Sequence, residues 1–143
     1  MQQGCAMADR ARILVVDDDI AARLTLQAVL GDLYDVIVAI DVLEAERILT
    51  TQEIEVLLTD YDMPGRSGVD LITLVLDRFP LVVPILITGH TSKHEVRTAD
   101  RDRNIFAVLS KPYDPAALLR SLRLAVATAQ LRSLHRPMIQ RNA

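Results

Sequence analysis

Apolar residues along the chain fall into five short runs rich in Val, Ile and Leu, separated by longer stretches in which apolar positions recur every three or four residues. Runs of the first kind read as strands and stretches of the second as helices. The pattern predicts strands over Arg12–Val16, Asp35–Ala39, Val56–Thr59, Pro84–Thr88 and Ala107–Ser110. It predicts helices over Ile20–Leu30, Asp41–Thr51, Gly68–Phe79 and Lys93–Arg101, and a last one from Pro115 to about His135. Asp19 and Asp41 can each cap a helix N-terminus, Ser67 and Gly68 read as the cap and opening of the third helix, and Pro115 suits a first turn. Strands that are apolar almost throughout, each followed by a crossover helix, indicate a parallel sheet covered on both faces. This is a doubly wound α/β architecture, in which ligands sit outside the carboxyl ends of the strands.

Two helices depart from a simple core-facing pattern. The segment Lys93–Arg101 offers only Val96 and Ala99 as packing residues, so it is expected to be loosely held. The last helix carries one apolar line at Leu118, Leu122, Ala125 and Ala129 and a second at Leu124, Ala127, Leu131 and Leu134. One line should cover the sheet, and the other offers a surface for a homodimer or a lead into an output module. Residues 1–11 read as a disordered lead with Met7 as an alternative start, 12–136 as one domain, and 137–143 as a flexible tail.

The carboxyl ends of the strands collect the chemically distinctive residues. The first runs into Asp17, Asp18 and Asp19, and the third into Asp60-Tyr61-Asp62-Met63-Pro64-Gly65. The fourth ends in Thr88-Gly89-His90 and the fifth in Lys111-Pro112. Clustered carboxylates repel one another unless a cation is present, and hard oxygen ligands with room for water suit Mg²⁺. A carboxylate neutralised in this way can act as a nucleophile toward phosphorus, with Lys111 and Thr88 placed to serve the phosphoryl oxygens. Asp19 is assigned to capping alone and Gly65 to turn chemistry. His90, at the mouth of the site, is a candidate base for a hydrolytic water, with an inert loop histidine as the rival reading. His94 and His135 have no partners at metal-ligand spacing.

Composition narrows the function further. A formal net charge of −3 argues against a nucleic-acid or anionic-membrane surface, which would need excess Lys and Arg. The single Cys5 can form neither an intramolecular disulfide nor a cysteine-based zinc site, which fits a reducing cytoplasm. No apolar run has the length of a signal-peptide core or a bilayer span, and neither internal repeats nor low-complexity linkers interrupt the chain.

The motifs ILVVDDD, LLTDYDMPGRSG, ILITG and LSKPY, in this order and spacing from about Arg12 to the middle of the last helix, resemble the receiver domains of bacterial response regulators. The resemblance implies a flavodoxin-like sheet of order 2-1-3-4-5 and a Mg²⁺-dependent switch phosphorylated on Asp60. It implies that Asp18 and Asp60 hold the metal with the backbone carbonyl of Asp62, and that Asp17 reaches it mainly through water. Lys111 would pair with the phosphoryl group and Thr88 would move to hydrogen-bond it, aided by backbone N–H groups of Tyr61 and Gly89. The bond before Pro112 is expected to be cis. The donor would be a sensor histidine kinase or phosphotransfer protein, and the output an unidentified protein target contacted by a stand-alone cytoplasmic domain without a DNA-binding module.

Two positions depart from the family pattern. The residue three before the lysine, usually aromatic, is Val108, so the aromatic half of the usual switch is absent; Asn104-Ile105 stands where Gly-Ala is common. Two rival readings stay open. One is a receiver-fold module that binds its partner regardless of phosphorylation. The other is an aspartate-nucleophile phosphatase of the haloacid-dehalogenase type, suggested by Asp17-x-Asp19 but lacking that family's Thr or Val two residues later, where Ala21 stands.

Overall fold

A computed structural model of the chain describes residues 10–89 and 105–135. Its elements, in chain order, are β1 (Arg12–Val16), α1 (Ile20–Leu30), β2 (Asp35–Ala39), α2 (Val42–Thr51), β3 (Val56–Asp60), α3 (Gly68–Arg78), β4 (Val83–Thr88), β5 (Ala107–Ser110) and α4 (Pro115–Leu134). The five strands pair in parallel in the order β2-β1-β3-β4-β5, as expected of a flavodoxin-like sheet. The predicted helix over Lys93–Arg101 lies outside the described residues, as do Met7, His90, His94, Asn104 and the tail from residue 136.

Each strand splits its side chains between two cores because successive residues point to opposite faces. Leu14, Val16, Leu57 and Leu86 turn toward α2 and α3, where they meet Val42, Ala45, Leu49, Leu71, Ile72 and Val75. Ile13, Val15, Val56, Leu58, Ile85 and Ile87 turn toward α1 and α4, meeting Leu26, Leu30, Leu118, Leu122, Ala125 and Ala129. Side chains from both faces are thus dry, which is why the strands read as continuous apolar runs rather than alternating ones.

Element ends follow from their caps. Asp19 accepts from the Ala21 N–H, Asp41 from Glu44 and Asp114 from Ala116, while Ser67 and Asp70 form a reciprocal capping box. Asp41 is therefore the cap of α2 rather than its first residue. Gly65 takes a positive φ of 81° in the loop before α3, a conformation that a Cβ would oppose. Two strand ends differ by one residue from the sequence reading: β3 runs through Asp60, and β4 begins at Val83. The Pro84 carbonyl accepts from Phe106 N–H at 3.0 Å, so its nitrogen also faces the β5 side, ahead of that strand's first residue. A proline is tolerated in an inner strand where its nitrogen lies at the end of a ladder.

At 20 residues α4 spans about 30 Å, against roughly 17 Å for a five-residue strand. Its last turns overhang the amino end of the sheet, tied by Arg132 to the Pro80 carbonyl at 3.4 Å. The line Leu118, Leu122, Ala125, Ala129 is buried, while Leu124, Leu131 and Leu134 are exposed. Among the described residues, no helix is long and apolar enough to cross a membrane.

Candidate functional site

Backbone ladders carry the distinctive residues one step past the strands. Asp17 N–H donates to the Ala39 carbonyl at 3.2 Å, Tyr61 to Ile87 at 2.8 Å and Lys111 to Thr88 at 2.8 Å. Asp17, Asp60 and Lys111 are thereby placed at one rim by the same interactions that hold the sheet together. The registers Asp60↔Ile87 and Thr88↔Ser110 bring Thr88 to that rim as well. The peptide bond between Lys111 and Pro112 is cis, as the resemblance implies.

Asp17 and Asp60 are buried, at 4% and 7% exposure, and Asp18 beside them is exposed. One carboxylate oxygen from each of the three can be chosen so that all lie within 4.8 Å of one another. Lys111 Nζ stands 2.9 Å from Asp60 Oδ1 and 3.7 Å from Asp17 Oδ2. Three carboxylates thus face one ammonium, and the excess is negative. Burial raises the Asp60 carboxyl above its ordinary value; the Lys111 hydrogen bond opposes this and the Asp17 charge adds to it. Burial acts to lower Lys111, but its bond to Asp60 and the charges of Asp60 and Asp17 prevail and raise it. A donor set made only of carboxylate oxygens, short of positive charge and open on the Asp18 side, fits a hard divalent cation such as Mg²⁺.

The surroundings hold this cluster firmly. Gly68 N–H donates to the Tyr61 carbonyl at 3.0 Å, and a Cβ on Gly68 would fall 2.2 Å from the Asp60 carbonyl oxygen. Only glycine lets α3 start this close to the Asp60 backbone. Thr88 is buried on the same face of the sheet as Leu86, Val108 and Ser110, and Val108 packs half-buried into the core beneath α2 and α3. Position 108 therefore supplies an aliphatic wall in place of a ring.

Of the expected site residues, the structure gathers Asp17, Asp18, Asp60, Lys111 and Thr88 at one rim. Asp62 follows with an exposed side chain, and Asp19 caps α1 as assigned. One expectation is corrected: the Tyr61 N–H is not aimed at the acidic cluster but donates to Ile87, because the β3·β4 ladder continues one bond past Asp60. Three neighbours escaped the sequence reading. Arg23 donates from its guanidinium to the Asp17 carbonyl at 2.7 Å. Gly68 reads from the sequence as a helix opening only, yet it also borders the Asp60 backbone. Tyr113 is half-buried, and burial raises its hydroxyl, with the Lys111 charge opposing and the Asp17 charge adding. The LSKPY motif held the signal for Tyr113; nothing in the spacing of Arg23 pointed to Asp17.

Comparison with known proteins agrees with this geometry. A family model described as the response regulator receiver domain matches residues 13–123. The hydrogenase transcriptional regulatory protein HoxA of Cupriavidus necator is 32% identical over 132 residues, covering 91% of this chain and 27% of HoxA. The chemotaxis protein CheY1 of Helicobacter pylori is 33% identical over 127 residues, covering 82% of this chain and 98% of CheY1. The chain therefore spans about a quarter of HoxA and almost the whole of CheY1. Among solved structures, the signal receiver domain of an HD domain-containing protein from Pseudomonas fluorescens superposes with a TM-score of 0.84 at 26% identity, covering 89% of this chain and 94% of that one.

Proposed function

The chain belongs to the response regulator receiver domain family, and from that premise we propose that Asp60 is the residue that accepts the phosphoryl group from a histidine kinase or phosphotransfer protein. The observation that carries the reading is the arrangement of Asp60 itself: buried, 2.9 Å from Lys111, and within reach of Asp17 and Asp18.

An Asp60 carboxylate oxygen forms the new P–O bond as the donor's P–N bond breaks, and the electron pair leaves on the donor imidazole, which takes up a proton. Asp17, Asp18 and Asp60, with the Asp62 carbonyl, would hold Mg²⁺, which supplies positive charge for the carboxylates and the transferring phosphoryl group. Lys111, already on Asp60, follows the charge outward onto a phosphoryl oxygen. Thr88 offers its hydroxyl to a second oxygen, and Gly89 its N–H. Attack of water on phosphorus breaks the same P–O bond and returns the free carboxylate, so the domain resets itself without turning over external substrates.

Phosphorylation turns a carboxylate of charge −1 into an acyl phosphate of about −2, and this added charge, carried outward on the phosphoryl oxygens, is the input to the switch. Thr88 and Val108 share a face, so a movement of Thr88 toward the phosphoryl group is transmitted through β4 and β5 to a protein-binding surface. A small valine at 108 gives that movement less leverage than a ring would, and we read the output as a graded change in affinity for a protein partner. The kinase-fed chemistry favours a cytoplasmic site of action.

Intact-protein mass after incubation with acetyl phosphate tests the assignment. Wild type should gain one phosphoryl group with Mg²⁺ and none when it is chelated, and Asp60→Asn should gain none. Modification persisting in Asp60→Asn overturns the proposal, and sustained turnover of p-nitrophenyl phosphate would favour the phosphatase reading instead.

A further inference from the structure

We infer that Arg23 is a positioning residue of the acidic site, holding the Asp17–Asp18 peptide in the orientation that cation binding requires; this rests on the site assignment above. The inference starts from Asp17, whose polar groups are all engaged. Its N–H extends the β1·β2 ladder to Ala39, its Oδ1 accepts from the Asp19 N–H at 2.9 Å, and its Oδ2 faces Lys111 at 3.7 Å. Its carbonyl accepts from the Arg23 guanidinium at 2.7 Å, from a side chain six positions on that folds back over the first turn of α1.

That carbonyl matters because it lies in the rigid peptide plane joining Asp17 to Asp18. Asp17 is held by four interactions, whereas the Asp18 side chain is exposed and takes its direction from the plane that precedes it. Fixing the Asp17 carbonyl therefore fixes where the Asp18 carboxylate starts from. Without Arg23 the plane can turn, and the Asp18 carboxylate must be reordered each time a cation binds.

The position of Arg23 is electrostatically unusual. The first turn of a helix is its positive end and favours acidic side chains, yet α1 has none within its first turn, and Arg23 sits at its fourth residue. The bond to the Asp17 carbonyl offsets the repulsion. A guanidinium so placed could affect the site in two ways with opposite signs. As a charge it would compete with the cation, and its removal would tighten Mg²⁺ binding. As a brace it prepares the ligands, and its removal would weaken Mg²⁺ binding. The short bond to a partly buried backbone carbonyl makes the brace the dominant effect.

The sign of the change is the test. Arg23→Met removes both donor and charge, while Arg23→Lys keeps a charged donor on a stem of similar length. Mg²⁺ affinity is read from NMR titration with MgCl₂, together with amide hydrogen exchange at Asp18 and Asp19 and the urea midpoint of each variant. Arg23→Met should bind Mg²⁺ about ten-fold more weakly and exchange faster at Asp18 and Asp19. Arg23→Lys should recover most of the loss, and saturating Mg²⁺ should restore the rate of phosphorylation by acetyl phosphate. Tighter or unchanged Mg²⁺ binding in Arg23→Met overturns the inference. If Arg23→Met does not fold, Arg23→Gln, which removes the charge and shortens the donor, is read instead: weaker Mg²⁺ binding with faster exchange at Asp18 supports the inference, and unchanged or tighter binding overturns it. Failure of the wild type to be phosphorylated on Asp60 strikes at the site assignment instead, and the affinity and exchange results then stand on their own.

Discussion

The amino and carboxyl ends of the sheet both carry charge, but they handle it differently. At the amino end Arg12 meets Asp35 at 3.4 Å with both side chains nearly half exposed, and Glu55 accepts the Arg12 backbone N–H at 2.8 Å. Arg12 and Asp35 there have both water and each other, and Glu55 has a backbone donor. At the carboxyl end Asp17 and Asp60 are buried together beside Asp18, with Lys111 as their ion-pair partner. The same strands produce both ends, so the contrast is one of local arrangement rather than architecture. Like charges held close and dry are a cost that a fold would not carry for stability alone, and the cost is what prepares the rim for a cation and a phosphoryl group.

The largest break in the comparison should come from the backbone under the acidic site. Gly68→Ala places a methyl group 2.2 Å from the Asp60 carbonyl and 3.1 Å from Leu86 Cδ1, so either α3 or the end of β3 must shift. A loss of about 3 kcal/mol is expected, the upper end of what overpacking costs, measured by urea denaturation. Because the displaced strand end carries Asp60, phosphorylation by acetyl phosphate should fall in the variant even under conditions where it is fully folded. An unchanged urea midpoint would mean that α3 can retreat from Asp60 without consequence.

Much of this was legible in the chain, and the parts that were not share a cause. Runs such as ILVV and VLLT mark buried parallel strands, and their junctions with Asp17 and Asp60 put the acidic rim where strand ends must lie. Asp19, Asp41 and Ser67 announced their helices through local capping chemistry, which depends on residues only two or three positions apart. The contact of Gly68 with Asp60, the bond from Arg23 to Asp17 and the diversion of the Tyr61 N–H to Ile87 each join groups whose pairing is set by tertiary geometry. Periodicity says which face a residue occupies; it does not say which atom meets it there.

A smaller effect concerns the charge cost itself. Burial, opposed by Lys111 and assisted by Asp17, raises the Asp60 carboxyl in the folded protein above its ordinary 3.8. A raised folded-state value means that the fold holds the proton more tightly than the unfolded chain does. The resulting stability is therefore full below pH 3.8 and lost as pH rises through the folded-state value. At neutral pH without a divalent cation, Asp60 destabilises the fold, and Asp60→Asn should raise Tm by about 2–5 °C. Differential scanning calorimetry in EDTA should show the gap narrowing as pH falls toward the ordinary carboxylate range, and Mg²⁺ should narrow it at neutral pH by stabilising the wild type. A metal-free Asp60→Asn that melts at or below the wild-type temperature would show that the Lys111 pair outweighs burial.

The smallest effect belongs to the amino end and completes the contrast. Arg12 and Asp35 lie in register as the first paired residues of β1 and β2, and at 3.4 Å with side-chain exposures of 44% and 47% their attraction is screened by water. Holding two mobile side chains together offsets much of what the attraction contributes, so the coupling energy from a double-mutant cycle of Arg12→Ala and Asp35→Ala should stay below about 0.5 kcal/mol. Arg12→Ala keeps the backbone N–H that donates to Glu55, so the start of β1 retains its hydrogen bond. Phosphorylation of Asp60 should proceed at the wild-type rate in both single variants, since the full length of the strands separates the two ends. A coupling well above 1 kcal/mol would mean that the amino end is also a strained, functional arrangement, and the difference between the ends would then be one of degree.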